Sequence, residues 1–154
     1  MAFTNINLKK LLSSVEFKRQ IDIIRGIGEH RLREAIWDRV YEAYEPKVYK
    51  RTYELLNSVT SSVDINGDNI TIKVFLDHDK MNHFSVIDGE RTYVPPIVNY
   101  GFYWPDWWDS KPDYFHNRPE SKFLEEAMLE IQKDMQKAFL DAVVVAFNSN
   151  RYRW

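Results

Sequence analysis

The feature that most constrains this chain is a pair of alternating apolar runs joined by a short polar turn. Val59, Ser61, Val63 and Ile65 alternate with polar neighbours, and so do Ile70, Ile72, Val74 and Leu76. Side chains two apart in a strand share a face, so each run presents one apolar side. Between the runs stands Asn66-Gly67-Asp68-Asn69, residue types that accept the positive φ of a tight turn. The pattern predicts an antiparallel β-hairpin over about 59–76. A hairpin alone is marginal in water, so its apolar face needs a cover.

The flanking segments supply that cover as helices. Residues 1–46 read as an N-terminal helical part in two pieces. Leu8, Leu11, Leu12 and Val15 form one short stripe; Ile24, Leu32, Ile36, Val40 and Ala43 form another, with Arg31, Arg33, Glu34, Asp38 and Arg39 around the remaining surface. Gly26 and Gly28 each cost about 1 kcal/mol relative to alanine in a helix, which predicts a break or kink near them. Pro46 ends the helix. At the other end, Arg118-Pro119 sets proline in a first turn, where its missing N–H costs nothing. Leu124, Ala127, Met128, Ile131, Met135, Ala138, Ala142 and Val145 then fall on one helical face, with Glu125, Glu126, Lys133 and Lys137 outward. Asn148-Ser149-Asn150 is expected to stop this long C-terminal helix, giving about 119–147 and a tail at 148–154.

Residues 47–103 are assigned to the sheet. Beyond the hairpin, Asp88-Gly89 reads as a second turn between short strands at 83–87 and 92–94, and Pro95-Pro96 interrupts them. A long aromatic loop follows at 104–118. The order is helix, hairpin, second hairpin, helix. It predicts a single α+β domain over 1–154, with helices packed on an antiparallel sheet.

Composition narrows the function. A chain of 154 residues holds one core. Its net charge of −2 argues against a protein whose main task is gripping phosphates. The absence of cysteine excludes disulfides, thiolate zinc sites, iron–sulfur clusters and cysteine nucleophiles together, and fits a reducing cytosol. The first twenty residues lack the apolar core of a signal peptide, and no run is long enough to span a bilayer. The expectation is folding in a cytoplasm, without a membrane partner.

Aromatic residues are concentrated beyond what one small core holds. Tyr100, Phe102, Tyr103, Trp104, Trp107, Trp108, Tyr114 and Phe115 crowd one stretch. The stretch can fold back as a satellite core or pack against a neighbouring subunit. The neighbour is favoured, since Trp and Tyr are enriched at interface centres. Arg151-Tyr152-Arg153-Trp154 reads either as a frayed end or as an anchor in a subunit contact. The candidate interface is therefore Tyr103, Trp104, Trp107, Trp108, Tyr114, Phe115, Arg151, Tyr152, Arg153 and Trp154.

Catalytic constellations are weak. Asp77-His78-Asp79 and His83 are metal-ligand residue types, but no matching spaced set accompanies them beyond an isolated His116, so a polar loop is the reading. Asp106, Asp109 and Asp113 sit among tryptophans, as carboxylates do in glycoside hydrolysis, yet nothing fixes their separation and aspartates beside prolines start turns. Ser13-Ser14 and Ser61-Ser62 lack a paired histidine, and no glycine loop cradles phosphate. No catalytic residue, metal ligand or cofactor is assigned.

Three segments in order carry a family resemblance. They are Tyr49-Lys50-Arg51-Thr52-Tyr53-Glu54-Leu55-Leu56-Asn57-Ser58-Val59, then Ile97-Val98-Asn99-Tyr100-Gly101-Phe102, then Arg118-Pro119-Glu120-Ser121-Lys122-Phe123-Leu124-Glu125-Glu126-Ala127. The first resembles an arginine-threonine-glycine-type lead into a first strand, the second an aromatic-valine-x-aromatic-glycine-like segment, and the third an arginine-proline start before phenylalanine-leucine and alanine. Together, over about 49–147, they resemble the neck, head–tail joining or tail-completion proteins of long-tailed bacteriophages. Tyr53 departs from the pattern, standing where glycine is common, and residues 104–117 make a longer loop than that family has.

The resemblance implies a structural protein of the virion, made in the host cytoplasm, without catalytic residues or cofactor. It implies a homo-oligomeric ring, six- or twelve-fold, between a head-closure or connector protein and the tail tube or terminator protein, with DNA passing transiently and non-specifically through the lumen. The rival reading is a carbohydrate-binding module that uses Trp104, Trp107 and Trp108 as stacking platforms. A sugar-binding loop stays exposed in a monomer; an assembly loop becomes buried as copies associate.

Overall fold

The computed structural model describes residues 14–43, 53–66, 69–81, 94–100 and 120–151. Helix α1 spans Val15–Ile36 and continues into a wider, π-helical turn at Trp37–Glu42. A single helical turn, α2 (Glu54–Asn57), leads into β1 (Val59–Asn66) and β2 (Asn69–Leu76). A 3₁₀ turn (His78–Lys80), a short helix α3 (Val94–Tyr100) and the long helix α4 (Phe123–Arg151) complete the order. The α+β class expected from the sequence is the one observed.

The hairpin is as predicted. Val59 pairs with Leu76 and the register runs to Asn66 opposite Asn69, which leaves a two-residue connection at 67–68. Val59, Ser61 and Val63 in β1 and Ile70, Ile72, Val74 and Leu76 in β2 face the helices, while Thr71, Lys73 and Phe75 face outward. Only Ile65, near the turn, escapes cover. The helices α1 and α4 run antiparallel beneath this face. Phe17 meets Phe139 edge-on near one end, Arg31 donates to Asp134 at 2.7 Å midway, and Arg39 pairs with Glu126 at 2.6 Å near the other.

Two apolar clusters result. Phe17, Ile21 and Ile24 pack with Ala142, Val63, Ile70, Ile72 and Met135. Leu32, Ile36 and Val40 pack with Leu55, Val59, Met81, Val98, Phe123 and Ala127. Polar bonds fasten α1 to the first strand between them. The Ser61 hydroxyl donates to Glu29, and Arg33 bridges the other Glu29 oxygen (3.1 Å) and the Val59 carbonyl (2.9 Å). The Ser61 hydrogen bond, more than Arg33, holds the Glu29 carboxyl below its ordinary value.

Several expectations are corrected. No break occurs at Gly26 or Gly28, because α1 is continuous through both. At Gly28 both β2 and α4 come close to α1: a Cβ there would lie 2.6 Å from the Val74 Cγ2 and 3.0 Å from the Met135 Sδ. Its helical cost is met by packing that no larger residue permits. The sheet assigned to 47–103 is confined, among the described residues, to β1 and β2. Residues 54–57 are helical, and Val94 opens α3 rather than closing a strand. Residues 83–87 and Leu8, Leu11 and Leu12 of the first helical stripe lie outside the described residues; Val15, the fourth residue of that stripe, opens α1 and is exposed.

The C-terminal helix is displaced from its expected bounds. It starts at Phe123 instead of in the Pro119 turn, because Lys122 adopts φ 51° and a residue from α3 caps the helix. Asn148-Ser149-Asn150 does not stop it, and α4 runs to Arg151. Asn and Ser disfavour a helix interior by only about 0.5 kcal/mol each, far less than glycine or proline. Met128 and Val145, expected on the buried face, are exposed.

The two glycines predict opposite responses to one added methyl group. Nothing lies within 4 Å of a Cβ at Gly26, so Gly26→Ala is expected to stabilise by about 0.5–1 kcal/mol. Gly28→Ala is expected to destabilise by about 1–3 kcal/mol through overpacking against Val74 and Met135. Urea unfolding of the two variants beside the parent checks both signs.

Candidate interaction surface

Helix α4 carries one buried apolar face and an outer face on which large aliphatic residues stand among polar ones. The buried face holds Leu124, Ala127, Ile131, Met135, Ala138 and Ala142 against α1 and the hairpin. With 3.6 residues per turn, Leu129, Leu140 and Val144 share an outer face with Lys133 and Gln136, and Met128 stands beside Met135 at the margin of the buried face. Leu129 is 71% exposed, Met128 68%, Leu140 67% and Val144 58%. Phe139 straddles the two faces, its ring edge-on to Phe17.

The π-helical turn carries a second exposed group. Trp37 and Tyr53 stack with centroids 6.2 Å apart and planes 11° from parallel. Tyr41 packs against both, at 6.1 Å from Trp37 and 5.0 Å from Tyr53. The indole N–H of Trp37 donates to Glu42 at 2.9 Å, which orients the ring while leaving 42% of the residue exposed. Tyr53 adopts φ 57°, the left-handed conformation that glycine takes without cost. That explains its place in the sequence pattern: the backbone there requires a positive φ, and tyrosine meets the requirement with a ring that stacks on Trp37.

A third group joins the second and third resemblance segments. Asn99, fully buried at the end of α3, caps α4 from outside the helix. Its Oδ1 accepts from the Leu124 N–H at 2.9 Å, and its Nδ2 donates to both Glu125 carboxylate oxygens at 3.0 and 2.8 Å. Its carbonyl accepts from the backbone of Ser121 (3.1 Å) and Lys122 (3.0 Å), while the Ser121 hydroxyl donates to the Val98 carbonyl at 2.8 Å. These bonds satisfy N–H groups that a helix start otherwise leaves open. They also hold together the two ends from which residues 101–119 depart and return.

The residues proposed from sequence as an interface fall mostly beyond this frame. Tyr103, Trp104, Trp107, Trp108, Tyr114, Phe115, Tyr152, Arg153 and Trp154 lie outside the described residues, and Arg151 is the last residue of α4. Asp106, Asp109, Asp113, His83 and His116 lie outside as well. Asp77 is turned to its own loop, accepting from the Asp79 N–H at 3.1 Å with Lys80 3.6 Å away. Among the described residues no group of three His, Cys, Asp or Glu could hold a metal ion, and no helix is long and apolar enough to cross a membrane.

An open groove between α1 and α4 is lined by His30, Arg31, Glu34, Asp134, Lys137 and Asp141. Its charges answer one another. Arg31 bonds Asp134 at 2.7 Å and Glu34 at 2.8 Å, which raises its pKa, Asp134 first. His30 lies 3.1 Å from Glu34.

Sequence reasoning missed Trp37 and Tyr53, and the outer face of α4. The unmatched Leu129, Leu140 and Val144 outside the predicted buried stripe could have flagged the latter; the Trp37–Tyr53 stack depends on a fold contact no local pattern shows. Strain and stacking at Tyr53 separate in two variants. Tyr53→Ala keeps the left-handed strain and loses the stack, whereas Tyr53→Gly loses both. The glycine variant is expected to be the more stable of the two by about 1 kcal/mol in chemical denaturation. Equal stabilities would contradict the strain.

No curated relative and no solved structure matches the chain. A family model, YomN, matches residues 7–149, which takes in both long helices almost entirely, the hairpin, and the Asn99 cap. With nearly the whole fold matched, this chain belongs to YomN, a phage-associated family.

Proposed function

We propose that this protein is a non-enzymatic ring subunit of a phage neck or tail-completion complex, joining the head connector to the tail and lining a channel for DNA. The observation that carries this reading is the set of exposed aliphatic residues on the outside of α4: Leu129, Leu140 and Val144 stand exposed on a helix whose opposite side is already buried. Removing one such side chain from water contributes about 1.5–3 kcal/mol, and several together offset much of the translational and rotational cost of association. Membership in a phage-associated family supports a virion role, and the three sequence segments support the neck in particular.

A ring of six or twelve copies needs one surface repeated head-to-tail with closing symmetry. In this proposal the outer face of α4 and the aromatic segment 104–118 make the lateral contacts. The head-closure or connector protein and the tail tube or terminator protein make the axial ones. The clamp at Asn99 would hold both ends of the aromatic segment beside the first turn of α4, so that it acts from a fixed base. A net charge of −2 gives a lumen no strong hold on passing DNA.

Light scattering and electron microscopy of the purified protein test this directly. The parent is expected to form closed oligomers, and Leu129→Glu with Leu140→Glu is expected to yield monomers with unchanged helix content. A parent that stays monomeric at every concentration contradicts the proposal.

A further inference from the structure

We infer that the aromatic cluster on the π-helical turn of one copy receives Arg151-Tyr152-Arg153-Trp154 of a neighbouring copy, an inference that rests on the ring reading and supplies one of its contacts. Among the described residues the surface at Trp37 and Tyr53 is aromatic and acidic. Both rings are exposed, the indole N–H is committed to Glu42, and Asp38 is exposed beside them. Arg39, the cation of the π-helical turn, is paired with Glu126 at 2.6 Å. Electron-rich ring faces bordered by Asp38 and Glu42 favour a planar cation that stacks, and guanidinium is the side chain that does so.

The segment after α4 has the complementary chemistry, two arginines alternating with a tyrosine and a tryptophan. It cannot come from the same copy. The π-helical turn lies at the Glu126 end of α4, since Arg39 on that turn pairs with Glu126. From Glu126 to Arg151 is about 37 Å of helix. Tyr152, Arg153 and Trp154 add a reach of at most about 10 Å, so they fall well short of their own Trp37. A contact between these two surfaces therefore joins the far end of one molecule to the near end of the next. Such head-to-tail contacts close into rings when the rotation between copies divides a full turn.

The natural chain contains no cysteine, so single cysteines report the contact without background. One preparation carries Asp38→Cys and a second carries Tyr152→Cys; they are mixed, allowed to exchange, and oxidised with diamide while light scattering follows assembly. The expected result is a disulfide-linked dimer formed in the mixture and severalfold less in either variant alone. Adding Trp37→Ala to the Asp38→Cys chain is expected to lower that yield severalfold. Assembled oligomers without the mixed dimer overturn this contact and leave the ring reading standing. Protein that does not assemble overturns both.

Discussion

The antiparallel pairing of α1 with α4 is the contact on which the rest of the structure depends. A two-stranded sheet has too little buried surface to persist alone, and its apolar face lies on these two helices. At Gly28 the missing side chain leaves room for Val74 and Met135. Toward one end the helices enclose Phe17, Ile21 and Ala142; toward the other they enclose Ile36, Val40, Phe123 and Ala127. Both clusters draw on the hairpin, so sheet and helices stand or fall together. The pairing also fixes distances at the surface, setting the π-helical turn and the Arg151 end of α4 far apart.

Asn99 governs a second level of organisation. Its buried amide starts α4 from a separate part of the chain, so the helix register depends on a contact distant in sequence. Closing a loop the size of 101–119 costs on the order of 2–3 kcal/mol in chain entropy, and the bonds among Asn99, Ser121 and Lys122 offset part of it. Two segments far apart in sequence, around Asn99 and around Ser121, thus meet at one hydrogen-bonded junction. The first segment contributes the left-handed Tyr53, whose strain stacking with Trp37 and Tyr41 offsets.

The hairpin was legible because its information is local: period-two alternation and turn chemistry sit within eighteen consecutive residues. The buried faces of both long helices were legible from their periodicity for the same reason. Helix boundaries were not. Gly28 looks like a breaker until the neighbours that need its missing Cβ are known, and the start of α4 is written in Asn99 rather than in Pro119. The short helix α3 at 94–100 was hidden by its two prolines, which suit a helix start as well as an interruption. For the surface, composition pointed to surplus aromatic residues at 100–115 and 151–154, most of which fall beyond the described residues. The apolar outer face of α4 was overlooked because Met128 and Val145 were assigned to the buried stripe.

The central claim of the ring proposal is that Leu129, Leu140 and Val144 of α4, exposed in one copy, are covered by another. Methionine oxidation by dilute peroxide reads the surface of α4 against the core, since Met128 is 68% exposed and Met81 is buried. The account predicts fast oxidation of Met128 at low protein concentration, strong protection of it as subunits associate, and slow oxidation of Met81 throughout. Met128 oxidised equally fast in dilute and concentrated protein would contradict the claim.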